Sequence, residues 1–423
     1  MSANPHAPGD ALMPGEADSP TRVLFLLATL EGGGAERTVL TLIPYLQARG
    51  LDARVGLLAQ GGTLDGVIDP SRVLVTRVAA GWMSYAPPPT SSRLLVGVPL
   101  VPLQQLDLLR QFRPHVVVSC TASMNLAALL STRLYGRRRV AWILREGNNT
   151  RAILESDAPG RLGRAVRRWA TRLAYRAPDR VLTISNGVAE GLARDFDVSR
   201  DRVRVVHNPV EVARIRRLAH ETDGTRFPAR FLAACGRLHR QKGFDLLLHA
   251  FAGLPDADLA LVILGEGPER GRLESLAREL GIGTRVIMPG FVQNPWAWIT
   301  RASAFVLSSR WEGFGSILVE AMACGTPVVA ADCEYGPREI VHDGETGLLA
   351  RAGDAKSLTE AIHRVLAVPA LADKLAERGR LRAMAFDAPA IGDRYADLVY
   401  EAAALVRDKI RRERPWYAAG SGS

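Results

Sequence analysis

The stretch AFVLSSRWEGFGSILVEAMACGTPVVAAD, residues 304–332, reads as strand, loop, helix, strand. AFVLSS is an apolar run of strand length, and RWEGFG holds the two glycines of a turn. SILVEAMACG is an apolar helix closed by Gly325, just ahead of Thr326 and Pro327. PVVAAD then returns as a second buried strand. Strands joined by a helix run parallel, so this unit belongs in a sheet covered by helices.

The same alternation extends in both directions. One series of strand-length runs comprises RVLFLLA (22–28), ARVGLLA (53–59), HVVVSC (115–120), RVAWIL (139–144) and RVLTIS (180–185). A second comprises FLAACG (231–236), LALVILG (259–265), RVIMPG (285–290), AFVLSS (304–309) and PVVAAD (327–332). Amphipathic stretches such as ERTVLTLIPYLQARG lie between them. The pattern predicts an α/β protein of two Rossmann-like domains, whose parallel sheets face each other across a cleft. Pro209, an ETDGT cluster and Pro228 place a linker at 209–228, between domains at 21–208 and 229–387. Residues 1–20 read as a disordered leader and 413–423 as a tail.

With 47% hydrophobic and 23% charged residues over 423 positions, the chain has the balance of a globular protein with enough apolar material for two cores. Cys120, Cys235, Cys324 and Cys333 show no CxxC and no Cys/His ligand spacing, which fits a reducing cytoplasm. The N-terminus lacks the basic start and apolar block of a signal peptide. The best membrane-span candidate, LLVGVPLVPL (94–103), is short and interrupted by two prolines. A net charge of +10 admits nucleic acid, anionic lipid or phosphorylated ligands and selects none of them.

Open parallel sheets bind ligands beyond the carboxyl ends of their strands, and the motifs sit there. The first strand ends in ATLEGGGAER, where Gly32, Gly33 and Gly34 open a helix and let backbone amides approach a phosphate. A ligand-free tight turn explains these glycines equally well. Arg37 stands where a dinucleotide fingerprint needs its third glycine, so NAD is not expected. In CGRLHRQKGFDLLLHAF, Arg237 and Lys242 lie between a strand end and a helix, a place suited to a diphosphate or simply to solvated cations. In the opening stretch, Glu312 precedes a helix start whose free amides at Gly315, Ser316 and Ile317 favour an anion, and Glu320 follows it by a turn. Carboxylates beside an anion site cannot be its ligands, but they can accept two hydrogen bonds from a diol. A phosphate flanked by two polyol groups outlines a nucleotide sugar.

Together GGGAER, GRLHRQKGFDLLLHAF, LGEGPERGRLESLARELGI, RVIMPGFV and the E-x7-E segment beginning WEGFGSILVE resemble glycosyltransferase family 4, over residues 22–400. The resemblance implies the GT-B fold, retention of anomeric configuration and a nucleoside diphosphate sugar donor carrying UDP or GDP. It implies that Arg237 and Lys242 neutralise the leaving diphosphate, and that Glu312 with the amides of Phe314 and Gly315 holds sugar hydroxyls. Glu320 would bind the ribose diol, and Ser316 and Ile317 a phosphate. Phe291, Val292, Gly265, Glu266 and Gly267 would border the base, while Gly33 and Gly34 would close over the diphosphate from the other domain. A helix at 388–412 would cross back to the first domain.

Where many relatives carry a histidine, this chain has REGNN, which makes Arg145, Glu146 and Asn148 candidate contacts to an acceptor or sugar; an ordinary ion pair on a loop is the alternative. The implied acceptor is a glycan or a polyprenyl-diphosphate-linked oligosaccharide. No metal and no other cofactor is expected: the lone DxD, Asp256 and Asp258, precedes a strand and so lies at the wrong end of the sheet. A glycosidase would need two carboxylates flanking one glycosidic bond, which Glu312 and Glu320 do not provide if one binds ribose. Residues 160–180 carry seven arginines against one acid, with Leu162, Val166, Trp169 and Leu173 at helical spacing. Such a basic amphipathic helix could lie on an anionic membrane at the inner face of the cytoplasmic membrane, guide a polyprenyl-diphosphate acceptor, or pack on the first domain with its arginines solvated. Without an aromatic platform or a recognised module, nucleic acid is not expected as a partner. A non-catalytic nucleotide-sugar-binding subunit is the rival to an enzyme.

Overall fold

The computed structural model of the protein describes residues 19–78, 100–136, 139–157, 160–221 and 224–413. The expected leader and tail lie almost wholly outside these residues, as does most of the run 94–103.

The first sheet is parallel throughout and contains β1 (Thr21–Leu27), β2 (Leu51–Leu57), β3 (Val73–Val75), β4 (Val116–Ser119), β5 (Ala141–Glu146), β6 (Arg180–Thr183) and β7 (Val203–Val205). Their order is β3-β2-β1-β4-β5-β6-β7. The second sheet contains β8 (Phe231–Cys235), β9 (Ala260–Leu264), β10 (Val286–Gly290), β11 (Ala304–Leu307), β12 (Val328–Asp332) and β13 (Leu348–Arg351). It is also parallel, in the order β10-β9-β8-β11-β12-β13. In each sheet the direction of strand addition reverses between the first strand and the fourth. That reversal opens a crevice beyond the strand ends, between β1 and β4 and between β8 and β11.

Residues Val23, Phe25 and Leu27 of β1 point to one face and Leu24 and Leu26 to the other, and both sets are buried. This is why RVLFLLA is apolar throughout rather than alternating. One face is covered by α1 (Gly34–Ala48) and by the closing helix Ala388–Glu413. The other carries α2 (Val101–Phe112), α3 (Ala122–Tyr135), α4 (Thr150–Asp157), α5 (Gly160–Tyr175) and α6 (Asn186–Phe196). The closing helix sinks Ile391, Tyr395, Val399 and Ala402 into the same core as Val39 and Leu42 of α1.

The stretch 209–228 is more than a tether. It contains α7 (Val212–Ala219), whose Val212 and Ile215 join the core of the second domain. Their i, i+3 spacing gives this helix an apolar face that must be buried. The returning chain runs beside it: the Val210 amide donates to Phe386 O at 3.0 Å, and the Ala388 amide donates to Val210 O at 3.0 Å. Both crossings between the domains therefore share one place.

The second domain also has α8 (Phe244–Ala252), α9 (Arg270–Glu279), α10 (Trp296–Ile299) and α11 (Ser316–Ala323). Its loops meet those of the first domain directly. Ser185 Oγ donates to Gly313 O at 2.7 Å, and the Glu339 carboxylate accepts from the Asn186 and Gly187 amides at the start of α6, each at 2.9 Å. A Cβ on Gly313 would lie 2.2 Å from Gly147 O, so only glycine permits this approach.

Candidate active site

The loops after β8 and β11 flank the crevice of the second sheet, and they carry the charged residues that the sequence singled out. They are held together by close backbone packing. A Cβ on Gly265, after β9, would lie 2.1 Å from Gly236 O, so the glycine lets the β9 loop support the β8 loop from behind. Arg237 is exposed on that loop. Lys242 ends its short helical turn and reaches across to the β11 loop, where Nζ donates to Glu312 Oε1 at 2.6 Å. The same carboxylate oxygen accepts from Ser309 Oγ at 2.8 Å. Burial opposes a charge on Lys242, but the Glu312 carboxylate outweighs it and holds the ammonium pKa above its ordinary value. Glu312 is buried, and its backbone is fixed by the partner segment: its amide donates to Glu334 O at 2.9 Å.

Gly315, at positive φ, is the N-cap of α11. The Leu318 amide donates to Gly315 O at 2.9 Å, and the helix start leaves the amides of Ser316 and Ile317 without partners inside the helix. Ser316 Oγ accepts from Asn208 Nδ2 at 3.2 Å. The Phe314 ring is turned inward, tilted against His207 at 5.1 Å and edge-on to Phe386 at 5.3 Å between ring centroids, so only its backbone is available to a ligand. Glu320 stands one turn along α11, where Trp296 Nε1 donates to its Oε2 at 2.7 Å. Burial pushes the Glu320 carboxyl above the ordinary carboxylate range, against that hydrogen bond and the opposing charge of Arg37. The indole fixes one carboxylate oxygen and leaves the other for a ligand.

Arg37 belongs to the other domain. It lies on α1, one turn after Gly33 and Gly34, and it is exposed. Its charge reaches both Glu320 and the thiol of Cys235, which burial pushes up to about 12. A Cβ on Gly34 would meet nothing within 4 Å, so the turn above the cleft is open. Arg37 and Trp296 are the groups that sequence reasoning missed. Arg37 was noticed only as a break in a glycine pattern, and Trp296 follows no motif.

The remaining candidates fall into two groups. Val292 packs partly against the second core, next to the exposed Phe291, while Glu266 pairs with Arg270 at 2.7 Å on the rim. Arg145 and Glu146 differ from the expectation, because they are the last residues of β5 rather than the start of a loop, and both are buried. Nor do they pair simply with each other. Arg145 Nε donates to Tyr395 Oη of the closing helix at 3.1 Å, and its Nη2 donates to Asn208 Oδ1 at 2.6 Å. Glu146 accepts from Tyr175 Oη and from the Asn148 amide. Arg145 thus fastens β5 to the crossing segments and Glu146 fastens it to α5, while Asn148 is half-buried between them and the second domain. Asp256 accepts from Arg230 at 2.5 Å ahead of β9, far from the crevice end of the sheet. Among the described residues no group of three His, Cys, Asp or Glu could hold a metal ion.

Comparison with known proteins extends this geometry. Residues 32–214 match the family described as Glycosyltransferase Family 4, and residues 223–382 match Glycosyl transferases group 1. The chain is 28% identical over 372 residues to a Campylobacter jejuni N-acetylgalactosamine-N,N'-diacetylbacillosaminyl-diphospho-undecaprenol 4-alpha-N-acetylgalactosaminyltransferase, covering 86% of this chain and 95% of that protein. It is 35% identical over 233 residues to the lipopolysaccharide core biosynthesis glycosyltransferase LpsE of Rhizobium meliloti, covering 55% of this chain and 67% of that protein. Among solved structures, Anabaena HepE in complex with UDP and glucose superposes with a TM-score of 0.71 at 19% identity, over 90% of this chain and 100% of that one.

Proposed function

The chain belongs to the family 4 glycosyltransferases and has the GT-B fold, and from that premise we propose that it transfers a hexose or N-acetylhexosamine from UDP- or GDP-sugar to a glycan or polyprenyl-diphosphate-linked acceptor with retention of configuration. Such a reaction serves the synthesis of cell-surface polysaccharide or glycoconjugate. One observation carries the reading: Glu312, then Lys242 with the open amides at the start of α11, then Glu320 follow the order sugar, diphosphate, ribose of a nucleotide sugar. The bound UDP and glucose of the Anabaena protein and the undecaprenol-linked acceptor named for the Campylobacter enzyme support the substrate classes.

In this reading the free oxygen of Glu320 takes the ribose diol, and the first turn of α11 at Ser316 and Ile317 takes a phosphate. Glu312 and the Phe314 and Gly315 amides hold the sugar. Val292, Gly265, Glu266 and Gly267 border the base, and Gly33 and Gly34 close from above. The bond from the anomeric carbon to the diphosphate breaks while the acceptor oxygen bonds to that carbon from the same face. The acceptor proton passes to a donor phosphate oxygen. Arg237 and Lys242 hold the charge that develops on the departing diphosphate, the largest electrostatic demand of the step. Glu312 keeps Lys242 charged and aimed before the donor arrives. Asn148 is the acceptor-side contact at the cleft, with Glu146 holding its amide from below and Arg145 fixing the strand end that carries them.

Calorimetric titration with UDP, GDP, ADP and TDP, followed by mass detection of products from a panel of their sugars, tests the proposal. Binding of one nucleotide below millimolar, with transfer of its sugar to an added saccharide, is the expected outcome. Binding without any turnover would establish the partner-subunit reading instead.

A further inference from the structure

Helix α5 has its apolar stripe on the outside. Leu162, Val166, Trp169 and Leu173 are 78%, 56%, 66% and 44% exposed. With about 100° of rotation per residue, these four fall within roughly 60° of one another. The face that packs on the domain is on the opposite side, formed by Thr171, Ala174 and Tyr175. Monomeric folds turn such a stripe inward, so here the small-residue side holds the helix in place and the large apolar side is left for something else.

The stripe does not stand alone. The neighbouring α3, which α5 contacts, exposes Leu126, Leu130 and Leu134 at i, i+4, i+8, and α2 beyond it exposes Leu103. All three helices cover the same face of the first sheet. The charge around the stripe has one sign: Arg161, Arg164, Arg167, Arg168, Arg172 and Arg176 lie between residues 160 and 176, with no acid among them. Arg172 pairs with Asp197 at 3.1 Å, and Arg168 donates to the backbone carbonyl of Asp195 at 3.5 Å. The helix starts at the cleft end of the domain, since α4 and α5 follow the carboxyl end of β5 and lead back to the start of β6.

We propose that α5, with the leucines of α3, is a docking surface for an anionic lipid bilayer, which places the open end of the cleft against the membrane. The apolar stripe enters the headgroup boundary, Trp169 sits at headgroup level, and the arginines meet lipid phosphates on either side. A second copy of the chain does not suit this face, because pairing two stripes would set arginine rows against each other. Among the described residues no helix is long and apolar enough to cross a membrane, so attachment through this surface would be peripheral. The inference is independent of which sugar or acceptor the cleft takes.

Sedimentation of the full chain with vesicles of phosphatidylcholine and phosphatidylglycerol in equal parts is the test. The wild type should sediment with these vesicles at low salt, bind much less to phosphatidylcholine alone, and lose at least tenfold in partitioning when Leu162, Val166 and Trp169 are all changed to glutamate. A variant with Arg161→Gln and Arg164→Gln should keep residual binding but lose most of its salt dependence. All of these positions are exposed, so circular dichroism and nucleotide titration should match the wild type. Equal sedimentation of the wild type and the triple variant would overturn the proposal. A wild-type dimer that the triple variant converts to monomer would overturn it in favour of a second copy as occupant.

Discussion

The loops of the second domain and those of the first meet at one cleft but are built differently. Those after β8 and β11 keep Lys242 and Glu320 half-buried and Glu312 buried, interlocked within a single domain: Lys242 on Glu312 on Ser309, and Glu320 on Trp296. Those of the first domain keep their strongest charges below the surface, with Arg145 and Glu146 tied to Tyr395, Asn208 and Tyr175. They offer the cleft mainly open backbone at Gly33 and Gly34 and the exposed Arg37. The difference separates two tasks. Under the proposed function, one domain would hold the donor with groups already interlocked, and the other would frame the cleft.

Substitutions test that division, in order of expected effect. Lys242→Ala should lower kcat by roughly a hundred- to a thousandfold, with a smaller change in nucleotide affinity, because it removes charge stabilisation needed mainly as the diphosphate leaves. An equal loss in the affinity for UDP or GDP would make Lys242 a binding group instead. Arg145→Met should act on the frame: it leaves Tyr395 and Asn208 without their partner and lowers stability by about 1–3 kcal/mol in denaturant titration, with nucleotide affinity near that of wild type. Glu320→Ala should weaken nucleotide binding about tenfold, measured by calorimetry, while thermal stability changes little. Arg37→Ala, on the opposite wall, should cost only about threefold in affinity, less at high salt, because the group is exposed.

The smallest effect concerns the seam between the domains. His207 and the α6 amides hold the Glu339 carboxyl below its usual range, against the cost of burial. A lowered folded pKa means that this group adds stability at pH values above the unfolded carboxylate pKa. That contribution is lost as pH falls through the lowered folded value. Acid titration of Glu339→Gln should therefore show a shallower loss of stability below the usual carboxylate range than the wild type does.

Much of the fold was legible because fully buried parallel strands are apolar runs. The three strands that pattern reading missed, β3, β7 and β13, are all sheet edges, where short and mixed sequences such as VRV suffice. Arg145 and Glu146 ended the apparent strand too early, since nothing local to RVAWILRE shows that a guanidinium will find Tyr395 250 residues away. The charged residues of the second domain were legible from motif spacing, but Arg37 and Trp296 became visible only through three-dimensional proximity. The helix over 160–175 shows a further limit. Its sequence revealed an apolar stripe, and only the packing of Thr171, Ala174 and Tyr175 showed that the stripe faces outward.

The closing helix gives the chain a definite order of completion. The first sheet is synthesised first, yet the core under α1 lacks Ile391, Tyr395, Val399 and Ala402 until residues 388–402 have been added. The whole of the second domain emerges from the ribosome in the interval, with every strand of its own sheet already present. The domain made first is thus finished last, and Arg145 waits for Tyr395 while the 250 residues that separate them are made.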